Sequence, residues 1–165
     1  MRIAMSAAAV AVLTTIASPA FAAPRLKGTY TLAGTQMCQA PLGRTGGDIE
    51  HQMGTATFAP TTATAATMKL VLKDQWGSSI ANSGSVTVST ITVDGTATIT
   101  GTANPYVIAL SMKVGGQTIT TSGFVHLDLD GALDGIARRA VVQTSSRNGE
   151  MAGINCTTQM LLFRQ

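Results

Sequence analysis

The chain has 165 residues, a formal net charge of +3 and only 12% charged residues. That length suits one domain with one core. Its basic residues are scattered singly apart from Arg138 and Arg139, whereas a nucleic-acid binder concentrates them in a patch with stacking aromatics. We therefore expect no nucleic-acid partner.

The first 22 residues have the pattern of a secretory signal peptide. Arg2 precedes an apolar run over residues 7–16, and Ala20-Phe21-Ala22 offers small residues at a cleavage site. The run is too short for a permanent membrane span. We expect a signal peptide over residues 1–22, a β-barrel domain over residues 23–165, and a location in the bacterial periplasm or outside the cell.

The rest of the chain predicts short β-strands and no helix, because threonines and other β-branched residues alternate with apolar ones. Nine segments carry this alternation: residues 26–38, 53–59, 67–73, 85–92, 96–102, 106–114, 117–129, 136–144 and 155–164. Residues 39–52, 60–66 and 145–153 predict loops, since glycine, proline or unpatterned polar residues dominate there.

Two hairpins can be predicted residue by residue. A two-residue turn at Gly115-Gly116 pairs Met112 with Ile119 and keeps one face apolar, with Lys113 and Thr118 facing solvent. In the other hairpin, a three-residue loop over residues 93–95 pairs Thr92 with Thr96, and a bulge is expected near residues 89–90.

The two cysteines predict a disulfide between Cys38 and Cys156, because an exported chain folds in an oxidising compartment. Cys38 ends the first strand and Cys156 opens the last, and these strands are neighbours in a closed barrel. The fold prediction is therefore all-β, a single antiparallel up-and-down barrel of about eight strands. One of the nine segments would then be a loop or half of a bent strand. A β-sandwich is the alternative.

The start of the domain reads Gly-Thr-Tyr-Thr-Leu-Ala-Gly over residues 28–34, with Cys38 soon after, and Cys156 precedes the apolar run 160–163. These ends resemble those of small exported proteobacterial proteins. The resemblance implies a lipocalin-like barrel and supplies no catalytic residues. The chain departs from true lipocalins, which carry a Gly-x-Trp near the start of the first strand, because its single tryptophan is Trp76.

No residue pattern predicts an enzyme, a metal site or a cofactor. His51 and His126 are expected to be solvated, since a metal needs three or four converging ligands. The aspartates of 128–135 lack the calcium-loop spacing and favour a turn. Arg138 and Arg139 are expected to be solvated at a strand end, the alternative being that one of them looks inward.

The predicted function is binding of a small, largely apolar molecule inside the barrel. Its candidate lining residues are Tyr106, Ile108, Leu110, Met112, Ile119, Thr121, Gly123 and Val125. If the interior is instead filled, the alternative is a protein-binding module that uses loops such as 39–52, for example an inhibitor of an exported protease.

Overall fold

A computed structural model describes residues 25–39, 47–78, 87–114, 116–130, 134–148 and 154–165, so the predicted signal peptide lies outside the described residues. The strands are β1 (Gly28–Gln39), β2 (Gly47–Pro60), β3 (Ala65–Ser78), β4 (Thr87–Thr100), β5 (Tyr106–Val114), β6 (Gln117–Asp128), β7 (Arg139–Asn148) and β8 (Ile154–Arg164). Each is antiparallel to its neighbours, and β8 pairs with β1 to close the barrel. The predicted eight-stranded barrel is confirmed. Among these residues, no helix is long and apolar enough to cross a membrane.

The hairpin predicted at residues 93–95 is wrong, because β4 runs straight through them. Asp94 and Gly95 pair with Lys69 and Met68 of β3, in one uninterrupted register. No bulge interrupts that register near residues 89–90. Val88 faces outward at 66% exposure, which explains why its phase differs from that of Ile91. The segments 85–92 and 96–102 are thus two halves of one strand, although residues 85 and 86 lie outside the described part.

Several strands extend into segments predicted to be loops. β2 begins at Gly47, β3 begins at Ala65 and β7 continues to Asn148. The start of β2 carries Glu50 and Gln52 at its inward positions. Because these residues are polar, the segment lacks the alternation of apolar and polar residues that predicts a strand. Residues 40–46 and 149–153, the remainder of two predicted loops, lie outside the described residues.

The register predicted for β5 and β6 is confirmed. Met112 pairs with Ile119, and Tyr106 pairs with Val125. Lys113 and Thr118 are exposed, as predicted, while Met112 and Ile119 are half-buried. Gly115 itself lies outside the described residues.

The β6–β7 ladder is shorter than the strands that form it. It ends at the pair Ser122 and Ser145, whereas β6 begins at Gln117 and β7 runs on to Asn148. Within the described ladders, residues 117–121 of β6 pair only with β5, and residues 146–148 of β7 pair only with β8. The two strands separate towards that rim.

The barrel is strongly staggered. The stagger is measured by following register partners strand by strand from Gln36 in both directions around the barrel. The route through β2 and β3 arrives on β4 at Thr87. The route through β8, β7, β6 and β5 arrives on β4 at Ile99. These two points differ by 12 residues, from 87 to 99. A larger stagger tilts the strands and widens the interior. Eight-stranded barrels with a stagger of about 8 are filled by side chains. At the same strand number, the larger stagger of this barrel gives its backbone a wider interior.

One end of the barrel is closed by its own chain. Arg25 forms a parallel bridge with Ile136, and Ala137 N–H donates to the Arg25 carbonyl over 3.1 Å. We call residues 136 and 137 the closing segment. Tyr30 is fully buried, and its hydroxyl donates a hydrogen bond to the Ala137 carbonyl at 2.7 Å. Its ring packs edge-on against Phe58, with centroids 5.7 Å apart. The tyrosine of the Gly-Thr-Tyr sequence therefore fixes the closing segment to β1.

The disulfide lies at the opposite rim. Cys38 and Cys156 are register partners on β1 and β8 and are bonded to each other, with Cα atoms 4.0 Å apart. This confirms both the predicted pairing and the predicted position at the seam between the first and last strands. We call the half of the interior nearer this rim the disulfide half, and the half nearer Tyr30 the closed half.

Glycines on the inner face mark places where adjacent strands press together. A Cβ added to Gly54 would collide with the Val71 carbonyl oxygen, and one added to Gly123 would collide with the Gln143 carbonyl oxygen. These positions therefore demand glycine for close backbone approach. A larger side chain at Gly123, a candidate lining residue, would therefore collide with the backbone of β7 before it could extend into the interior.

Candidate ligand site in the disulfide half

The closed half of the interior is packed with apolar side chains. Its deepest members include Tyr30, Leu32, Ile108, Val125 and Leu127, all at or below 2% exposure. The void among Leu26, Phe58, Leu70, Ile108, Leu162 and their neighbours measures about 10 Å³. That is about the space of a single water-sized sphere, so the closed half has no room for an organic ligand.

The disulfide half has a different lining. Gln36, Glu50, Gln52 and Thr158 occupy inward positions of β1, β2 and β8 and are half-buried, so they remain in contact with solvent. Met112 and Ile119 are half-buried on the inner face of β5 and β6. This half of the interior, which we call the lumen, therefore combines polar and apolar walls, and these side chains are partly exposed.

Hydrogen bonds link the polar side chains across the seam. Thr158 Oγ1 donates to Gln36 Oε1 at 3.0 Å, and Gln36 Nε2 donates to Glu50 Oε2 at 3.2 Å. Gln52 Nε2 also lies 3.4 Å from Glu50 Oε2. The Glu50 carboxylate thus accepts from one amide on the neighbouring strand β1 and from one on its own strand β2.

Asp74 has no such support. It lies on the inner face of β3 at 4% exposure, and its Oδ1 is buried without a hydrogen-bond partner. Burial raises the pKa of this carboxyl above its ordinary value, because the charged form loses solvation. A buried, unpartnered carboxylate oxygen is costly for a fold to keep.

Thr121 presents a second unpartnered group. It lies on the inner face of β6 at 8% exposure, and its Oγ1 has no hydrogen-bond partner. Thr144, inward on the neighbouring β7, is also buried. The described lining of this half can therefore accept hydrogen bonds that the protein itself does not supply.

The candidate lining residues predicted from sequence fall in both halves. Tyr106, Ile108, Leu110 and Val125 are buried in the closed half, where Ile108 and Leu110 border the 10 Å³ void. The other predicted positions lie nearer the opposite rim or at a strand contact: Met112, Ile119, Thr121 and Gly123. A role in ligand binding stays a prediction for all eight.

Sequence reasoning missed the polar inner residues Gln36, Glu50, Gln52 and Asp74. The alternation of each strand could have identified them. Leu70 and Leu72 face inward, and Asp74 continues the same pattern of every second residue, so it also faces inward. An inward phase that changes from apolar to polar marks a lumen wall.

The other candidate residues lie outside the lumen. His51 and His126 are exposed, and His51 is part of β2 rather than a loop. Arg138 and Arg139 are both exposed, and Arg139 pairs with Asp128 at 2.6 Å. Among the described residues, no cluster of three or more His, Cys, Asp or Glu side chains is placed to hold a metal ion.

The Asp-rich segment behaves as a turn in its described part. Asp128 Oδ1 accepts the backbone N–H of Asp130 at 3.2 Å, and Asp134 Oδ1 accepts that of Ile136 at 3.0 Å. Such bonds between an aspartate and the N–H two residues later are typical of turns. Residues 131–133 lie outside the described part.

The outer wall of the barrel carries a broad groove. It has a volume of about 790 Å³ and includes His126, Asp128, Arg139, Leu161 and Phe163 in its lining. These side chains face away from the barrel axis, so the groove is a surface feature separate from the lumen.

No family model and no curated protein matches the chain. Among solved structures, it is similar to EF1p2_mFAP2b bound to DFHBI, with 16% sequence identity and a TM-score of 0.48 over 90% of this chain and 100% of that chain. It is also similar to mFAP0, a redesigned β-barrel bound to DFHBI, with 17% identity and a TM-score of 0.44 over 84% of this chain and 98% of that chain. Similarity at this level carries no argument about what the present chain binds.

Proposed function

We propose that this protein is a non-catalytic barrel that binds a small, largely apolar molecule in the disulfide half of its interior. The observation that carries this proposal is the contrast between the two halves. The closed half is filled, whereas the disulfide half keeps half-buried inward side chains together with the unpartnered Asp74 Oδ1 and Thr121 Oγ1. Concave sites that pair apolar walls with a few polar groups are the usual form of small-molecule sites.

The lining supports a ligand with a polar end. Ile91, Met112 and Ile119 offer apolar contact area, while Gln36 and Thr158 offer hydrogen-bonding groups on the seam side. A mainly hydrocarbon molecule with one polar group would use both walls.

Binding of an apolar fluorescent probe tests the proposal. Ile119→Trp should fill the lumen and weaken probe binding at least tenfold. Thr118→Trp is the matched control, because the adjacent exposed side chain points away from the axis and binding should persist. Equal binding by the two variants, or no binding by the wild type at high probe concentration, would refute the proposal.

The proposal includes an extracytoplasmic location, in the periplasm or outside the cell. It is supported by the signal-like first 22 residues and by the disulfide, since structural disulfides persist in oxidising compartments. Fractionation of cells that express the full chain, beside a variant lacking residues 1–22, tests this point. Equal retention of both in the cytoplasm would contradict it.

A protein-binding module is the second candidate, favoured by the outer wall. Val107 and Phe124 are register partners, Val141 pairs with Leu161, and all four are exposed, Phe124 by 58%. Exposed apolar clusters of this kind mark interaction surfaces. Phe124→Ser would then reduce inhibition in a panel of exported proteases without lowering the melting temperature. Inhibition by neither protein would exclude protease inhibition as this function.

A further inference from the structure

We infer that the disulfide half takes a small organic cation, a primary alkylammonium, whose charged group hydrogen-bonds to Asp74. This inference rests on the proposed small-molecule function and names the class of ligand. It starts from the buried Oδ1 of Asp74, an acceptor without a donor.

The described neighbours of Asp74 do not provide that donor. Gln52, its register partner on β2, directs its amide nitrogen to Glu50. Ser89, its partner on β4, is half-buried and forms no hydrogen bond to it. None of these described side chains therefore competes with a ligand for this acceptor.

The charge of the lumen favours a cation. The inward side chains described in the disulfide half include the carboxylates Glu50 and Asp74 and no lysine, arginine or histidine. Lys73, next to Asp74 in the chain, lies on the outer face and is exposed. A ligand that brings a positive charge would offset the cost of burying the Asp74 carboxylate, whereas an anion would add to it.

The surroundings favour an alkylammonium over a metal ion. Leu72 and Ile91 are register partners on the inner face, two positions along their strands from Asp74 and Ser89 respectively. They place hydrocarbon beside the carboxylate, where an alkyl chain can pack. Calcium takes six to eight oxygen ligands, and the two described carboxylates fall short of that number.

A second group independently points to a ligand in this lumen. Thr121 Oγ1 lies on the inner face of β6, 8% exposed and without a partner. It is a hydroxyl, so it serves a donor or an acceptor equally. It supports occupancy of the lumen, and the cationic class depends on Asp74.

Calorimetry with hexylammonium and hexan-1-ol tests the inference, because the two probes share a hydrocarbon chain and differ in charge. The wild type should bind hexylammonium at least tenfold more tightly than hexan-1-ol. Asp74→Asn should remove that preference while binding of hexan-1-ol remains. Asp94→Asn, the same charge change on an exposed residue of β4, should leave the preference intact.

The outcomes separate the ligand class from the proposed function. Equal affinity of the wild type for both probes would overturn the cationic class and leave small-molecule binding in place. Stabilisation by calcium chloride alone, with no effect of hexylammonium, would also overturn it. A wild type that binds neither six-carbon probe nor the apolar fluorescent probe would overturn the proposed function together with this inference.

Discussion

At Asp74, the stability of the fold and the inferred binding of a cation oppose each other. Its carboxylate is buried, two strand positions from Leu72, and its Oδ1 has no donor, so the fold bears the desolvation cost without a compensating bond. Residues of this kind persist where the unmet group has a use once a partner arrives. In the inferred complex, the atom whose burial destabilises the barrel would give the ligand its orientation.

The raised pKa of Asp74 gives this tension a pH dependence. The folded state holds the proton more tightly than the unfolded state, so the stability contributed by protonation is complete below the ordinary value of 3.8 and is lost as pH rises through the raised pKa. Asp74→Asn should therefore be more stable than wild type at neutral pH, by about 1 kcal/mol. The difference should vanish towards acid pH in denaturant titrations.

Asp128 gives the stability of the wild type a pH dependence opposite to that from Asp74. Its pKa is lowered, first by the backbone N–H of Asp130 and then by Arg139. Stability linked to Asp128 is lost as pH falls. The relevant quantity is therefore the difference between Asp74→Asn and wild type at each pH, and a difference that stays constant from acid to neutral pH would contradict the assignment to Asp74.

Gly123 lies where the backbones of β6 and β7 approach closely, so an added methyl group should destabilise the fold. Gly123→Ala should destabilise by about 2 kcal/mol or more, because the added Cβ meets the Gln143 carbonyl oxygen, which belongs to backbone and cannot turn aside. Ser122→Ala, on the exposed adjacent residue, should change stability by less than about 0.5 kcal/mol. Similar unfolding midpoints for the two variants would mean that the strands can separate at this point.

Among the elements, the hairpin of β5 and β6 was predictable and β4 was not. In the hairpin, apolar residues alternate along both strands, and the position of the glycine turn predicts the register. That register places the apolar residues of both strands on the same face, as the structure shows. In β4, Asp94-Gly95 imitates a turn, although Gly95 is needed inside the strand because a Cβ there would collide with the Ser111 carbonyl oxygen. Local chemistry alone does not separate these two uses of glycine.

The candidate site was harder to predict than the fold, for a related reason. Alternation of apolar and polar residues identifies strands that border an apolar core, and it fails where the inner face is itself polar. Glu50 and Gln52 lie in such a stretch, so the start of β2 resembled a loop. The contacts between the polar side chains of the site, such as that of Gln36 with Thr158, depend on pairing between strands distant in sequence.

The inward and outward faces of β5 give a prediction at the scale of the element. Ile108→Ala should cost about 2–5 kcal/mol, because the side chain is 1% exposed in the filled half and its removal leaves a cavity. Val107→Ala, one residue away and 45% exposed, should cost less than about 1 kcal/mol. Chemical denaturation of both variants measures the contrast, and equal losses would mean that the closed half is not the main core.

At the scale of the whole molecule, β1 is fastened at both ends. Tyr30 ties it to the closing segment at one end, and Cys38 joins it to Cys156 at the other. The β1–β8 ladder lies between these two points. The seam that joins the first and last strands forms slowly because its contacts are distant in sequence, and the disulfide cross-links it covalently near one end.

Removal of the disulfide tests this reinforcement. The double variant Cys38→Ser, Cys156→Ser should lose about 2–4 kcal/mol, because the bond closes a loop with a sequence separation of 118 and restricts the unfolded chain. The barrel should still form, since the β1–β8 ladder and the closed half remain. Faster hydrogen exchange should appear at the ends of β1 and β8 near residues 38 and 156. Uniformly faster exchange in all strands would instead mean that the bond supports the whole fold.

The separation of β6 from β7 beyond Ser122 and Ser145 gives the barrel a property that complete closure would remove. Residues 117–121 and 146–148 each present one side of their backbone without a partner in the described ladders. Such a side is a row of donors and acceptors at strand spacing, the template by which an extended peptide joins a sheet. At high concentration, this short stretch is where two molecules would begin edge-to-edge association.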